Sequence, residues 1–563
     1  MTANDVLRIL LFLGLLTALA PLLGRQMARL FSGEHHILLR LLGPVERCLY
    51  RLCRIDPKEE MTWRHFLLVL ILIDGIGLGV VFVLQLTQHA LPLNPSSLSP
   101  VAWPLALNTA ISFATNTNWQ AYSGEATLSY FTQMLGLTVQ NFLSAATGIA
   151  GALALIRGLA RRSAQTVGNA WVDLTRATLF VLLPLSFLLG LALVSQGTPQ
   201  TFDPSPTVTT LEGASQVIPL GPAASQIAIK QLGTNGGGFY GVNSAHPFEN
   251  PTPLSNFLQV LSILLLPAAL TFTFGYMVGS PRHGWALFGT MSSLFLITLS
   301  LSLWSEFKPV PSLAETLPME GKEVRIGVAS SILWSTATTA ASNGSVNAMQ
   351  GSLSPASGGL ALVNMLSGEV VFGGVGSGLY GILLFAMITV FLAGLMVGRT
   401  PEYLGKKIEA FEIRMCAIAL LAPAACVLLM TALAVMTEAG RAGPAHSGAH
   451  GLTEILYAFA SMGNNNGSAF GSLSANTPFY NLLGGLAMLV GRFAVLTPVL
   501  AIAGRLAAKK ISPASAGTFP TDGVLFIVLL GTVIVIESAL TFFPALALGP
   551  ILEHGLYLAG RAS

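Results

Sequence analysis

The sequence predicts an all-α polytopic membrane protein. It would have ten transmembrane helices, arranged as four parallel helix–pore-loop–helix repeats around a central pore, with one extra helix at each end. Three observations carry this prediction. The 563 residues are 53% hydrophobic and only 9% charged, with a mean hydropathy of +0.68, whereas soluble domains carry roughly 25% charged residues. Ten apolar stretches are long enough to cross a bilayer, which takes about 20 residues. Four short polar segments break the apolar pattern at similar intervals, each between two such stretches, and self-similarity of that kind dictates architecture.

The ten helices fall at residues 6–28, 64–88, 130–156, 172–195, 254–279, 284–304, 375–397, 414–437, 479–504 and 522–546. The first has only Arg8 before it and no small-residue cleavage site after it, so it reads as a retained helix rather than a signal peptide. The basic residues set the orientation. Segments following helices 1, 3, 5, 7 and 9, with their helix ends, hold 20 of the 28 Lys and Arg; by the positive-inside rule these face the cytoplasm, and both termini face outward. Two full spans per repeat keep successive repeats in one orientation, unlike inverted-repeat transporters. The expected organisation is 1–63, a first helix and basic cytoplasmic segment; 64–157, 172–279, 284–397 and 414–504, four pore repeats; and 522–563, a last helix and tail. Residues 25–64 are basic and partly amphipathic, which suits the membrane surface. A net charge of +3 is too small to imply a nucleic-acid partner. Cys48, Cys53, Cys416 and Cys426 form neither a disulfide framework nor a metal-like grouping.

The four polar segments are Thr115-Asn116-Thr117-Asn118, Thr234-Asn235-Gly236-Gly237-Gly238, Ser342-Asn343-Gly344-Ser345 and Asn464-Asn465-Asn466-Gly467-Ser468. Aligned on Asn116, Asn235, Asn343 and Asn465, they are 119, 108 and 122 residues apart. All lie on the outward side. Each follows a segment of about ten residues with helical character (105–114, 223–232, 332–341, 453–462), too short to span. Non-helical backbone at membrane depth is tolerated only where it lines a cavity or is buried in protein. Glycine supplies backbone angles closed to other residues, and asparagine satisfies freed amides while tolerating left-handed geometry. A short helix pointing its C-terminus at the axis presents the negative end of its dipole to a cation. No segment contains a charged side chain, so a bound ion would meet neutral dipoles, and carbonyl rings are the standard way to replace a potassium ion's hydration shell.

Ionisable groups inside spans are functional candidates. Glu369 opens a glycine-rich run into helix 7, where it could attract a cation or accept hydrogen bonds from a broken helix. Gly373, Gly374, Gly376 and Gly378 allow either a break beneath the pore loops or close helix packing. Arg399, Lys406 and Lys407 are a cytoplasmic gate, a docking surface or plain membrane anchors. Asp173 and Arg176, three residues apart, are expected to pair. Arg492 is expected to brace the pore, and Lys230 to hold its loop. Asp74 and Glu537 stand isolated in apolar spans.

Several stretches are long and specific: Ser112–Gln120 around the first polar segment, Leu232–Phe239, Asn243–Thr252, Gly368–Gly378, Gly398–Lys407 and Asn464–Phe470. In these the chain closely resembles the family of potassium-binding A subunits of bacterial Kdp-type potassium-transporting ATPases. The resemblance implies the fold of the potassium-transporter superfamily and a selectivity filter formed by Thr115, Asn116, Thr117, Asn118, Thr234, Asn235, Gly236, Gly237, Ser342, Asn343, Gly344, Asn464, Asn465, Asn466 and Gly467. Gln120, Glu369, Gly373, Gly374 and Arg399 are the associated pore and gate candidates. It further implies potassium as transported substrate with no organic cofactor, intake from the outer side, and passage through an intramembrane tunnel to a P-type ATPase B subunit. A C subunit with a large outer domain and a small F-type single-helix subunit would complete a complex in the bacterial inner membrane, in contact with lipid and not with nucleic acid. The sequence has no Asp-Lys-Thr-Gly phosphorylation motif and no phosphate-binding loop, so ATP hydrolysis is expected on a partner chain. An autonomous potassium channel or ion-coupled symporter, and a membrane scaffold whose loops bind a protein, are the competing expectations.

Overall fold

Helix α1 (Ala3–Phe31) starts at a capping box in which the Thr2 side chain and Asp5 exchange bonds with each other's amides, satisfying donors that a helix start leaves orphaned. The computed structural model describes residues 1–34, 37–308, 319–396, 398, 400–512 and 519–560. After the amphipathic α2 (Ile37–Leu52) come the first full span of the first unit, α3 (Trp63–Thr87), and the short α4 (Trp103–Ala114). The chain returns through α5 (Thr132–Ala160). The second unit is α6 (Ala170–Ser195), the short α7 (Ala223–Leu232) and α8 (Pro253–Met277), with a hairpin of β1 (Thr207–Thr209) and β2 (Ser215–Val217) in its outer loop. The third is α9 (Pro281–Glu306), the short α10 (Val328–Ala340), α11 (Pro355–Leu366) and α12 (Ser377–Met396). A two-stranded ribbon, β3 (Glu402–Tyr403) and β4 (Lys406–Lys407), leads into the fourth: α13 (Ala410–Met436), α14 (Gly448–Gly463) and α15 (Pro478–Ala508). The kinked α16 (Val524–Leu558) ends the bundle.

Among the described residues, ten helices are long and apolar enough to cross a membrane, each within a few residues of its expected place apart from the extension of α16. The third unit holds one helix more than expected: the short α11 precedes α12 and is joined to it by non-helical backbone at residues 367–376. The glycines there allow a break and close packing together: Gly373 and Gly376 have φ of +63° and +92°, and a methyl on Gly376 would strike the Gly148 carbonyl of α5.

Small residues set the remaining contacts. Helix α1 lies along α8 because Gly24 faces the Ala269 carbonyl and Phe272, where a Cβ has no room, and Thr273 Oγ1 adds a 3.2 Å bond to the Gly24 carbonyl. Gly158 likewise lets α5 meet the Ala503 backbone of α15. In the most apolar stretches of α5 and α8, 83% of residues are buried, against 17% in α1, so α5 and α8 are inner helices and α1 is peripheral.

Charged side chains gather at the ends of spans. Asp173 does not pair with Arg176. It takes a two-pronged bond from Arg157 at 2.5 and 2.7 Å, while Arg176 reaches Glu46 of α2 at 2.9 Å. Tertiary partners with better geometry displace the local i, i+3 contact, and the second pair ties α2 to α6. Lys406 is buried, its ammonium spent on the carbonyls of Gly158, Arg161 and Leu506 at the ends of α5 and α15. That is bracing, and it leaves Lys406 unavailable as a gate. Arg399 lies outside the described residues.

Removing Asp173 strands a nearly buried guanidinium, a loss of about 3 kcal/mol; Asp173→Ala is expected to lower Tm clearly in detergent unfolding. The Glu60–Arg161 pair, half-exposed, is worth about 0.2–1 kcal/mol. Its hydrogen bonds to Arg161 hold the Glu60 carboxyl below the usual range. A depressed folded-state pKa stabilises above the free value of about 4.3 and is lost as pH falls through the folded one. The Tm gap between wild type and Glu60→Gln should be present at pH 7 and close in acid below about pH 4.

Candidate functional site

The four short helices α4, α7, α10 and α14 all end at the polar segments, here loops 1 to 4. Each loop turns back by the same bond: the amides of Thr117, Asn235, Asn343 and Asn466 donate to the carbonyls of Ser112, Lys230, Thr338 and Ser461, five residues earlier, at 2.9, 2.9, 3.1 and 2.8 Å. Left-handed backbone brackets these residues. Asn116, Thr234, Ser342 and Asn465 have φ of +64°, +50°, +51° and +60°, and Asn118, Gly236, Gly344 and Gly467 have +52°, +81°, +86° and +99°. The structural register therefore matches Asn116 with Thr234, Ser342 and Asn465. Aligning like letters displaced loops 2 and 3 by one residue.

The loops close into a ring in chain order. Asn116 Nδ2 donates to the carbonyls of Gly233 and Thr234 at 3.2 and 3.1 Å, and Asn235 Nδ2 to Asn116 Oδ1 at 2.5 Å. Asn343 Nδ2 crosses to the Lys230 carbonyl at 3.1 Å, and Asn466 Nδ2 to that of Thr338 at 3.0 Å. Ser342 Oγ donates to the Asn465 carbonyl at 2.9 Å, and Asn465 Nδ2 returns to Thr117 Oγ1 at 3.0 Å. Thr117 also pairs with Thr115 Oγ1 at 2.8 Å, and Asn464 Nδ2 caps the Ala460 carbonyl. At three seams a missing side chain is required: a Cβ on Gly236, Gly344 or Gly467 would overlap the backbone of Asn343, Asn466 or Thr117 in the next loop. Gly237 sits against Asn118. Thr234, β-branched in a left-handed conformation that is costly for it, is held by bonds from Oγ1 to the Gly233 carbonyl and from the Val375 amide.

The remaining predicted residues surround this ring. Gln120 bolts loop 1 to loop 2, its amide exchanging bonds of 2.7 and 3.1 Å with the Gly238 backbone. Gly373 and Gly374 belong to the break in the third unit, which reaches the underside of the ring: the Gly373 amide binds the Ala340 carbonyl at 3.2 Å, and Gly374 faces Ser342 and Thr234. Glu369 is buried, with φ +50°. It accepts from Asn466 Nδ2 at 2.7 Å, and among the described residues its second oxygen has no protein partner. That carboxylate, with Thr115, Asn116, Ser342, Asn464 and Asn465, lines a cavity of about 70 Å³, large enough for several water-sized species. Glu537 and Arg492 line it too, so Glu537 is not isolated. Lys230 does hold its loop, its ammonium turned to Glu249 and Asn243 while Asn243 Nδ2 binds the Gly236 carbonyl at 2.9 Å.

A supporting layer was missed in the sequence. Helix α5 carries Asn141, Ser144 and Thr147 on one face. Asn141 accepts from Asn118 and Ser144 donates to Asn116, both at 2.8 Å; Thr147 and the Ser144 carbonyl take the Arg492 guanidinium at 2.5 and 2.9 Å. The mark was available, since polar residues at helical spacing inside an apolar span need partners. Arg492 braces this helix from α15, as expected of it.

Four short helices ending in polar loops that hydrogen-bond to one another, set among the ten described helices that are long and apolar enough to cross a membrane, describe a polytopic membrane protein. The chain matches the family described as Potassium-transporting ATPase A subunit, KdpA, over residues 10–555. A Pseudomonas aeruginosa protein named potassium-transporting ATPase potassium-binding subunit is 56% identical over 559 residues, covering 98% of this chain and 99% of its own. One of the same name from Rhodospirillum centenum is 57% identical over 566 residues, covering 100% and 99%. In fold, the chain is similar to the crystal structure of the potassium transporter TrkH from Vibrio parahaemolyticus, with a TM-score of 0.51 and 16% identity, covering 88% of this chain and 98% of that one. The chain belongs to the KdpA family.

The ring makes a stability prediction. Gly344→Ala places a side chain into the Asn466 backbone from a left-handed position, a penalty of at least about 1–2 kcal/mol, whereas Gly79 of α3 has open space around it. Tm in detergent should fall clearly for Gly344→Ala and stay within about 1 °C for Gly79→Ala.

Proposed function

We propose that this chain is the potassium-binding and translocating subunit of an ATP-driven potassium uptake complex, and that loops 1 to 4 are its selectivity filter. The observation that carries the proposal is the closed ring of uncharged backbone, in which every loop alternates left-handed residues so that carbonyls rather than side chains can converge on the axis. Neutral carbonyl dipoles bind a monovalent cation strongly enough to strip its water and weakly enough to release it. The four short helices add the negative ends of their dipoles. Beneath the ring, Glu369 offers an unpaired carboxylate oxygen to an ion leaving it, and the break at 367–376 is the gate.

Potassium enters from the outer side, both termini facing outward, and continues through an intramembrane tunnel to a P-type ATPase B subunit in a bacterial inner membrane. The names of the relatives support an ATPase assembly; C and F subunits complete it in this proposal. Energy comes from the partner, so the purified chain alone in liposomes is expected to carry no sustained potassium flux.

Gly237→Asp tests the filter. A carboxylate there intrudes on Asn118 and places a charge in a ring built of neutral dipoles. Potassium titrations of the assembled complex, read through stimulated ATP hydrolysis, should show apparent affinity weakened at least about 10-fold, equal to 1.4 kcal/mol. Unchanged affinity would refute the assignment of loop 2 to the filter.

A further inference from the structure

Away from the ring, metal-ligating side chains converge at the start of α14. His450 and Glu454 stand four residues apart on one helix face, and His446, just before the helix, folds back toward them. One ligand atom from each of the three lies within 4.8 Å of the others. His446 Nδ1 is 2.7 Å from Glu454 Oε1, and His450 Nε2 faces the same oxygen at 3.7 Å, beyond hydrogen-bond reach. A tetrahedral zinc ion with bonds of about 2.0–2.1 Å holds its ligand atoms about 3.3 Å apart. The two separations bracket that value, and the exposed His446 is free to adjust.

The ligands are already oriented. Glu454 is fully buried, its Oε2 accepting from the Ala445 amide at 2.9 Å and its Oε1 from Ser472 Oγ at 2.5 Å. His450 Nδ1 is 2.8 Å from Glu553 Oε1 on α16. A carboxylate at Nδ1 fixes the ring tautomer and leaves the Nε2 lone pair outward, the arrangement that metal-bound histidines use. In that tautomer the Nε2 lone pair faces Glu454 Oε1 across the 3.7 Å gap, and a cation bound there takes the place of the proton that now joins His446 Nδ1 to the same oxygen at 2.7 Å, releasing it to solvent. Two imidazoles and one carboxylate suit a zinc-like transition metal, not the oxygen-seeking magnesium or calcium.

We propose that His446, His450 and Glu454 form a binding site for a divalent transition-metal ion of the zinc class, with Glu553 positioning His450. The site adjoins the segment leaving loop 4. The His450 ring stacks on Phe470, Phe470 packs on Tyr457, and the Tyr457 hydroxyl is 2.9 Å from Ser468 Oγ, which donates to Asn466 Oδ1 at 2.6 Å. A bound metal stiffens that segment; its consequence for potassium rests on the filter reading, whereas metal binding does not.

The test is calorimetric titration of Zn²⁺ into the purified full-length chain in potassium-free buffer, with the visible absorption of bound Co²⁺ as a second readout. Wild type should bind one ion at this site. His446→Ala and His450→Ala should each weaken binding at least about 10-fold, and Glu553→Gln, with all three ligands intact, by about 10–100-fold. Because Glu454 keeps the Ala445 amide and the Ser472 hydroxyl as donors, metal-free His446→Ala should still unfold in one cooperative transition, which certifies its fold. The proposal is overturned if Zn²⁺ does not bind, or if it binds wild type and His446→Ala equally. Neither outcome touches the potassium reading, which the Gly237→Asp titration tests separately.

Discussion

Backbone that leaves the helix at membrane depth must find its hydrogen bonds inside the protein, and the rest of the structure depends on how four loops meet that demand. Each loop satisfies its first free amide with a carbonyl of its own short helix, five residues back. In loops 2 to 4 the asparagine at that position then works outward. Those of loops 3 and 4 donate to the very carbonyl that anchors the preceding loop, Lys230 or Thr338, and that of loop 2 grips Asn116. One loop cannot fold correctly while its neighbour is misplaced. The ring is a cooperative unit, and small-residue packing among the surrounding spans brings the four short helices close enough for it to close.

The polar groups that stabilise the ring create a second demand, since each must be satisfied in turn. Asn118 and Asn116 need Asn141 and Ser144 on α5, and α5 needs Arg492 from α15. Lys230 brings a charge close to loop 2, and Glu249 with Asn243 turns it aside from the ring. The demand is not met everywhere: Glu369 keeps one carboxylate oxygen unpaired among the described residues, as do Asn118 Oδ1 and Asn235 Oδ1 in the ring and both oxygens of Asp74 in α3. An unpaired buried acceptor costs about 1–3 kcal/mol or more.

The ten spans and the four interruptions were legible because both rest on composition over many residues: hydropathy marks a span, and a polar cluster between spans marks a loop. Partner choice was not. Asp173 had a neighbour of opposite charge three residues on, yet it binds Arg157, sixteen residues back in sequence and better placed for a two-pronged bond. The short α11 was hidden because its 12 residues include two glycines, one serine and one asparagine, diluting the apolar signal below that of a span. The register of loops 2 and 3 slipped because asparagine does different work at successive positions. In loop 1 it occupies the two left-handed sites, and in loops 2 and 3 the site between them. Backbone handedness, not residue identity, is the repeated quantity.

Handedness explains one of the three consecutive glycines of loop 2, Gly236, and packing explains the others: Gly237 faces Asn118, and a Cβ on Gly238 would strike the Tyr240 carbonyl. At the second left-handed position loops 2, 3 and 4 have glycine, and each missing side chain makes room for the backbone of the next loop. Loop 1 has Asn118 there, whose side chain must go somewhere. Its amide turns to Asn141 of α5, and its Cβ lies 3.0 Å from where a Cβ on Gly237 would stand. Loop 2 therefore yields the space that loop 1 does not. The seam between them is closed instead by side chains, with Gln120 clasping both backbone groups of Gly238. The ring is thus not four equal quarters. Three seams are glycine on backbone, and the fourth is an asparagine wedge matched by a glycine on the adjoining loop, an inequality that a single chain can encode and a symmetric tetramer cannot.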